Sequence, residues 1–142
     1  MGSEKQTWKT LKKYLDQVEG IHYQRFEDAF SVGIPDLMVC KNSNVVFVEL
    51  KQLDAFPKRS TTCVRLDFRA NQFAWMLWHC KAGGRVALLA QIGREYFLTD
   101  FTPNLQKISD ECLDEKRFRF LIRSYPTARD VVTKLLNWLG DS

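Results

Sequence analysis

Two short stretches of this chain hold residues whose types and spacing suit chemistry: Gly33-Ile34-Pro35-Asp36-Leu37-Met38-Val39 and Val46-Phe47-Val48-Glu49-Leu50-Lys51. Side chains alternate faces along a strand, so Phe47, Glu49 and Lys51 share one side while Val46, Val48 and Leu50 share the other. A carboxylate and an ammonium are then neighbours at the end of an otherwise apolar strand. Asp36 opens the strand expected to pair with it, which gathers two carboxylates and a lysine at one end of a hairpin. Two converging carboxylates with a backbone carbonyl between them are the hard oxygen donors that Mg²⁺ or Mn²⁺ prefers. Lys51 then stands as a cation beside a bound phosphate. The plain alternative is an exposed ion pair between Glu49 and Lys51, with Asp36 capping a turn. The three residues together, after apolar strands, favour the chemical reading.

Periodicity supplies the elements that must hold them. Trp8, Leu11, Leu15 and Val18 recur at helical steps, which predicts a first helix over residues 4–18, opened by a Ser3/Gln6 capping box and stopped at Gly20. Strands are expected over 23–26, 37–40 and 45–51, the last two joined as an antiparallel hairpin through the turn-forming Lys41-Asn42-Ser43-Asn44. Residues 52–64 carry no period and include Lys58 and Arg59, which reads as a long, mobile, basic loop. Asp67 suits an N-cap for a second helix carrying Ala70, Phe73, Ala74, Leu77 and Cys80 and ending at Gly83-Gly84. Residues 85–92 and 95–101 read as a strand hairpin. Arg117 to Arg123 alternates like a short strand, and Thr127 with Asp130 opens a terminal helix through Leu139. The expected order is α-β-β-β-α-β-β-α, an α/β (α+β) arrangement in one domain over residues 1–142.

Bulk properties narrow the class. With 142 residues, 45% of them apolar and 27% charged, the chain has the makeup of a folded globular domain rather than a disordered or low-complexity one. Its uncharged runs fall far short of the roughly 20 residues a membrane span needs. The N-terminus has no apolar segment of the secretory kind, so an intracellular, cytoplasmic setting is expected. The net charge of +4 permits a polyanionic partner. Cys40, Cys63, Cys80 and Cys112 show no CxxC pair and no zinc spacing, which reads as four free thiols.

The ordered series Gly33-Ile34-Pro35-Asp36-Leu37, Phe47-Val48-Glu49-Leu50-Lys51, Gln72 on an aromatic-rich helix, then Gly83-Gly84-Arg85-Val86-Ala87 resembles the PD-(D/E)xK nuclease superfamily. Its Asp36 and its Glu49-Leu50-Lys51 stand thirteen positions apart. Within that superfamily it looks like the VRR-type nuclease branch, which is Holliday-junction-resolvase-like. The likeness covers roughly residues 4–92, leaving 95–142 as a C-terminal extension. It implies a restriction-endonuclease-like core, a mixed central sheet flanked by helices. By the same resemblance Asp36 and Glu49 ligate Mg²⁺ or Mn²⁺ together with the main-chain oxygen of Leu50, and Lys51 positions or activates the attacking water. Gln72 corresponds to the branch's helical glutamine, and reads equally as a polar residue at a helix start. The superfamily often adds an acidic ligand from the first helix: Glu4 and Glu19 are available, Glu4 fits better by position, and Glu27 is another candidate.

The function this implies is metal-dependent hydrolysis of DNA phosphodiesters, with branched substrates such as Holliday junctions or flaps, in recombination and repair. A homodimer placing one site on each strand suits so small a domain, and a compact stand-alone nuclease suggests a phage in a bacterial host. Lys58 and Arg59 of the long loop, with Lys9, Lys12 and Lys13 of the first helix, are the candidates for DNA-backbone contacts, although the three helix lysines read more readily as a solvated face. The competing functions are a catalytically silent nucleic-acid-binding module and a sequence-specific restriction-type endonuclease.

Overall fold

A computed structural model describes residues 4–26, 33–101, 107–108 and 112–140. Asn42 and Ser43 sit at φ of 55° and 65° in the hairpin turn, the mirror-image geometry whose twist matches that of paired strands. This turn joins β2 (Leu37–Lys41) to β3 (Asn44–Leu53), with β1 (His22–Arg25) antiparallel on the outer edge of β2. The chain then crosses over through α2 (Ala70–Lys81), so that β4 (Arg85–Ile92) runs parallel to β3. Beyond it lie β5 (Glu95–Asp100) and β6 (Arg123–Tyr125), both in antiparallel pairings. Among the described residues the sheet has six strands in chain order, and its mixed character is the one expected.

Helices cover both faces. On one side, Val46, Val48 and Leu50 of β3 pack with Leu11 and Leu15 of α1 (Glu4–Leu15) and with Val131 and Leu135 of α4 (Ala128–Trp138). On the other, Val86, Leu88 and Ala90 of β4 meet Met76 of α2 and Phe118 of α3 (Glu115–Leu121), together with Val64 and Leu66 from the long loop. Period-two alternation along β3 therefore sends Val46, Val48 and Leu50 to the α1/α4 side and turns Phe47, Glu49 and Lys51 to the other face. Thr127 caps α4 as expected, accepting the Asp130 N–H at 3.2 Å.

Several expectations are corrected. The first helix ends at Leu15, because the chain tightens to three-residue hydrogen bonds (Gln17 N–H to Tyr14, Val18 N–H to Leu15) ahead of Gly20; Ser3, its expected cap, lies outside the described residues. α2 is capped at Arg69 rather than Asp67. Arg117 to Arg123 is not a strand: α3 occupies most of it, capped by Asp114, whose side chain accepts the Arg117 N–H, and only then does β6 begin. The long loop is pinned in its second half, where Val64 and Leu66 are buried and Cys63 is bonded to Cys112. That disulfide overturns the reading of four free thiols. Val64 N–H donates to the Leu113 carbonyl at 2.7 Å, bringing the two cysteines to a Cα separation of 5.2 Å. Cys40 and Cys80 are free. Among the described residues no helix is long and apolar enough to cross a membrane.

Candidate functional site

Register decides the site. Leu37 faces Val48, so Asp36, one residue before β2, arrives level with Glu49. The Asp36 N–H donates to Glu49 Oε1 at 3.3 Å, and the Leu50 N–H donates to Asp36 Oδ2 at 2.8 Å. Each carboxylate is thus tied to the backbone beside the other. A strand residue's N–H and C=O point to the same edge, so the Leu50 carbonyl also lies on the Asp36 side, where β2 has already ended.

Gly33 makes this approach possible. Its φ is +82°, and a Cβ there would lie 2.2 Å from the Asn71 carbonyl oxygen, so only glycine lets the strand entrance pass against the start of α2. That contact brings Gln72 to the site. Gln72 is 6% exposed, and its Oε1 accepts the Arg69 N–H at 3.0 Å at the helix start. Lys51 is held from two sides, donating to the Asp67 carbonyl and standing 3.5 Å from Glu49 Oε2, with its Nζ 4.8 Å from the Phe68 ring centroid. Asp67 lies outside the helix with its carbonyl bonded to Lys51, and α2 starts only at Ala70, later than the sequence suggests.

These groups line a cleft of 410 Å³ together with Glu4, the first residue of α1, and Arg25 at the end of β1. Its electrostatics are those of crowded acids. Glu49 is 1% exposed. Burial, then the Asp36 carboxylate, push its pKa up to about 8, with Lys51 opposing. Burial, then Asp36, also raise Glu4. Glu49 Oε2 has no hydrogen-bond partner among the described residues, Lys51 standing at ion-pair distance without hydrogen-bond geometry. An orphaned, buried carboxylate oxygen beside a second carboxylate calls for a proton or a cation. The donors that fit a hard divalent ion are Asp36, Glu49 and the Leu50 carbonyl oxygen; among the described residues no group of three or more acidic, histidine or cysteine side chains forms a complete ligand set without the backbone.

Asp36, Glu49 with Lys51, Gln72 and Glu4 therefore come together from four separate places in the sequence. The lysines of α1 do not line the cleft: Lys12 is paired with Asp16 at 2.7 Å, Lys13 lies over the Tyr14 ring, and Lys9 is exposed. Lys58 and Arg59 are exposed on the loop, outside the cleft lining. Glu27 lies outside the described residues. Arg25 is the residue that sequence reasoning passed over: its Nη1 is 3.2 Å from Asp36 Oδ1 and also donates to the Asp36 carbonyl.

No family model and no curated protein matches this sequence. Among solved structures, the chain is similar to Hjc of Archaeoglobus fulgidus, a Holliday junction resolvase from an archaeal hyperthermophile, with a TM-score of 0.55 at 14% identity. The likeness covers 92% of this chain and 96% of that one. The chain has the Hjc fold. The mixed sheet and flanking helices are those expected from the sequence, and the coverage carries the likeness of fold past residue 92 into the segment that the motifs left unassigned.

Proposed function

We propose that this chain is a divalent-cation-dependent DNA endonuclease of the PD-(D/E)xK type, VRR-type branch, structure-selective for branched DNA such as Holliday junctions or flaps. The observation that carries the reading is the convergence of Asp36, Glu49 and Lys51 in one cleft, with a buried Glu49 oxygen that has no hydrogen-bond partner among the described residues. A catalytically silent module has no chemical need for such a pair, whose mutual repulsion is costly without a cation. The branched substrate is supported by the Hjc fold, whose named representative is a Holliday junction resolvase.

Asp36, Glu49 and the Leu50 main-chain oxygen would hold the ion, Mg²⁺ or Mn²⁺, which would supply positive charge to acidify a water and offset the charge growing on the phosphate. Lys51 keeps its ammonium at the cleft, anchored by the Asp67 carbonyl, and orients the attacking water and the scissile phosphate. Gln72 fixes the start of α2, and through it the wall of the cleft, by accepting the Arg69 N–H. Glu4 adds a third carboxylate. Lys58 and Arg59, with the lysines of α1, take neighbouring phosphates without reading bases. The enzyme works as a homodimer, one site per strand, and sedimentation with and without junction DNA checks this against a one-chain mass.

The deciding experiment is cleavage of labelled four-way junction, flap, single-stranded and linear duplex DNA with Mg²⁺ or Mn²⁺, beside Asp36→Ala and Lys51→Ala. Paired nicks in the junction are expected, with both variants down by roughly 10²-fold or more. Cutting of another substrate keeps the chemistry and replaces the substrate. Tight DNA binding with no cutting of any substrate turns the assignment to a silent binding module.

A further inference from the structure

Both carboxylate oxygens of Asp36 are already in contact with groups of the protein. One oxygen, Oδ2, accepts the Leu50 N–H at 2.8 Å, and the other, Oδ1, lies 3.2 Å from Arg25 Nη1. The same Arg25 nitrogen donates to the Asp36 main-chain oxygen at 3.2 Å. A cation brought to Oδ1 meets a like charge at the atom it needs. Of Lys51, Arg69 and Arg25 in the cleft lining, Lys51 is committed to the Asp67 carbonyl and to Glu49, and it is Arg25 that stands at Asp36 Oδ1, so Arg25 is the one placed to yield.

Arg25 is also built to go elsewhere. Its side chain is 16% exposed and lies at the end of β1, within the cleft lining. The Trp8 ring flanks the guanidinium at 5.9 Å. Its Nε is buried with no hydrogen-bond partner among the described residues. A guanidinium offers five donors in a fixed fork, and a donor left unpaired in a polar cleft suits a ligand rich in acceptors; a phosphate takes such a fork with two oxygens.

We infer that Arg25 is the resident counter-ion of the cation site: it holds Asp36 Oδ1 while the cleft lacks a divalent ion, and turns to a DNA phosphate when the ion takes that oxygen. This rests on the reading of the cleft as a cation-dependent phosphodiesterase site. Its consequence is that cation and DNA bind cooperatively through one side chain. The ion frees Arg25 for the phosphate, the phosphate draws Arg25 from Asp36, and the two effects are equal by linkage.

The test uses the full chain without DNA, titrated with Mn²⁺ and followed by the electron paramagnetic resonance signal of the free ion. Arg25→Gln is expected to bind Mn²⁺ about fivefold more tightly than the wild type, and Arg25→Lys to stay within about twofold of it. Tighter binding on loss of a contact is a direction that mere damage to the fold does not produce. Should Arg25→Gln fail to fold, Arg25→Met supplies the same uncharged comparison while keeping an unbranched side chain at that position. Anisotropy of labelled junction DNA gives the second arm. Without a divalent ion, Arg25→Gln is expected within about twofold of the wild type, and with Ca²⁺ about fivefold weaker, with one phosphate contact fewer in the salt slope. Unchanged or weaker Mn²⁺ binding in the uncharged variants, with binding still lost in Asp36→Ala, overturns this inference alone. No Mn²⁺ binding by the wild type overturns it together with the proposed function.

Discussion

Glu49 carries its carboxyl where water does not reach and where another carboxylate stands beside it, so it keeps its proton far above the ordinary range, to about pH 8. Between about 4.5, its ordinary value, and about 8, the folded protein binds a proton that the unfolded chain has released. The metal-free protein therefore loses stability as pH rises through that window and is indifferent to Glu49 below it. Urea midpoints at pH 5, 6.5 and 8 check this: the wild type is expected to decline and Glu49→Gln to stay flatter, and parallel slopes would count against a protonated Glu49. The same proton must leave for a cation to bind, so Mn²⁺ affinity is expected to rise with pH, by at most about tenfold per unit, until about pH 8. Asp36, Glu49 and Lys51 were legible from the sequence because a hairpin's spacing and a strand's period of two are local rules. Arg25 was not, since a lone arginine on a four-residue strand has no pattern until register sets it beside Asp36.

At the level of elements, the turn residues and the alternation of β2 and β3 made the hairpin readable, whereas the packing of its entrance against α2 was not. Gly33 is the joint. Gly33→Ala must place a methyl against the Asn71 carbonyl from a left-handed backbone, and is expected to cost more than about 2 kcal/mol and to lower cleavage further by displacing Asp36; thermal melting and kinetics on the same preparation separate the two effects. The segment before β6 misled because arginines and aromatics alternate there as in a strand. Burial obeys the other period: Phe118 and Ile122, four apart, are inside, while Phe120 is 88% exposed. Phe118→Ala is accordingly expected to destabilise by about 3–5 kcal/mol and Phe120→Ala by less than about 0.5, read from denaturant midpoints. Helix starts depend on what the preceding carbonyls are used for, which is why Asp67 looked like a cap and instead serves Lys51.

For the molecule as a whole, the disulfide was the least legible feature, because four cysteines at wide and unequal spacings allow several pairings and none is favoured before Val64 and Leu113 meet. It closes a loop of sequence separation 49, and Cys63→Ser with Cys112→Ser, or reduction, is expected to cost about 2–4 kcal/mol, roughly 6–12 °C in Tm, measured by calorimetry with and without dithiothreitol. Loss of that shift would mean that the unbridged loop is held as well by its buried Val64 and Leu66. The bridge also divides the chain mechanically. α2, β4 and β5 lie inside the bridged segment, while Asp36, Glu49 and Lys51 all lie before it. Pulled from its two ends, the protein can have β3 peeled from β4 and its carboxylates drawn apart while the bridged segment stays unextended. The oxidised chain then stops short of the reduced one by roughly 170 Å of contour length, so a single-molecule stretch reads the state of one sulfur–sulfur bond as a distance.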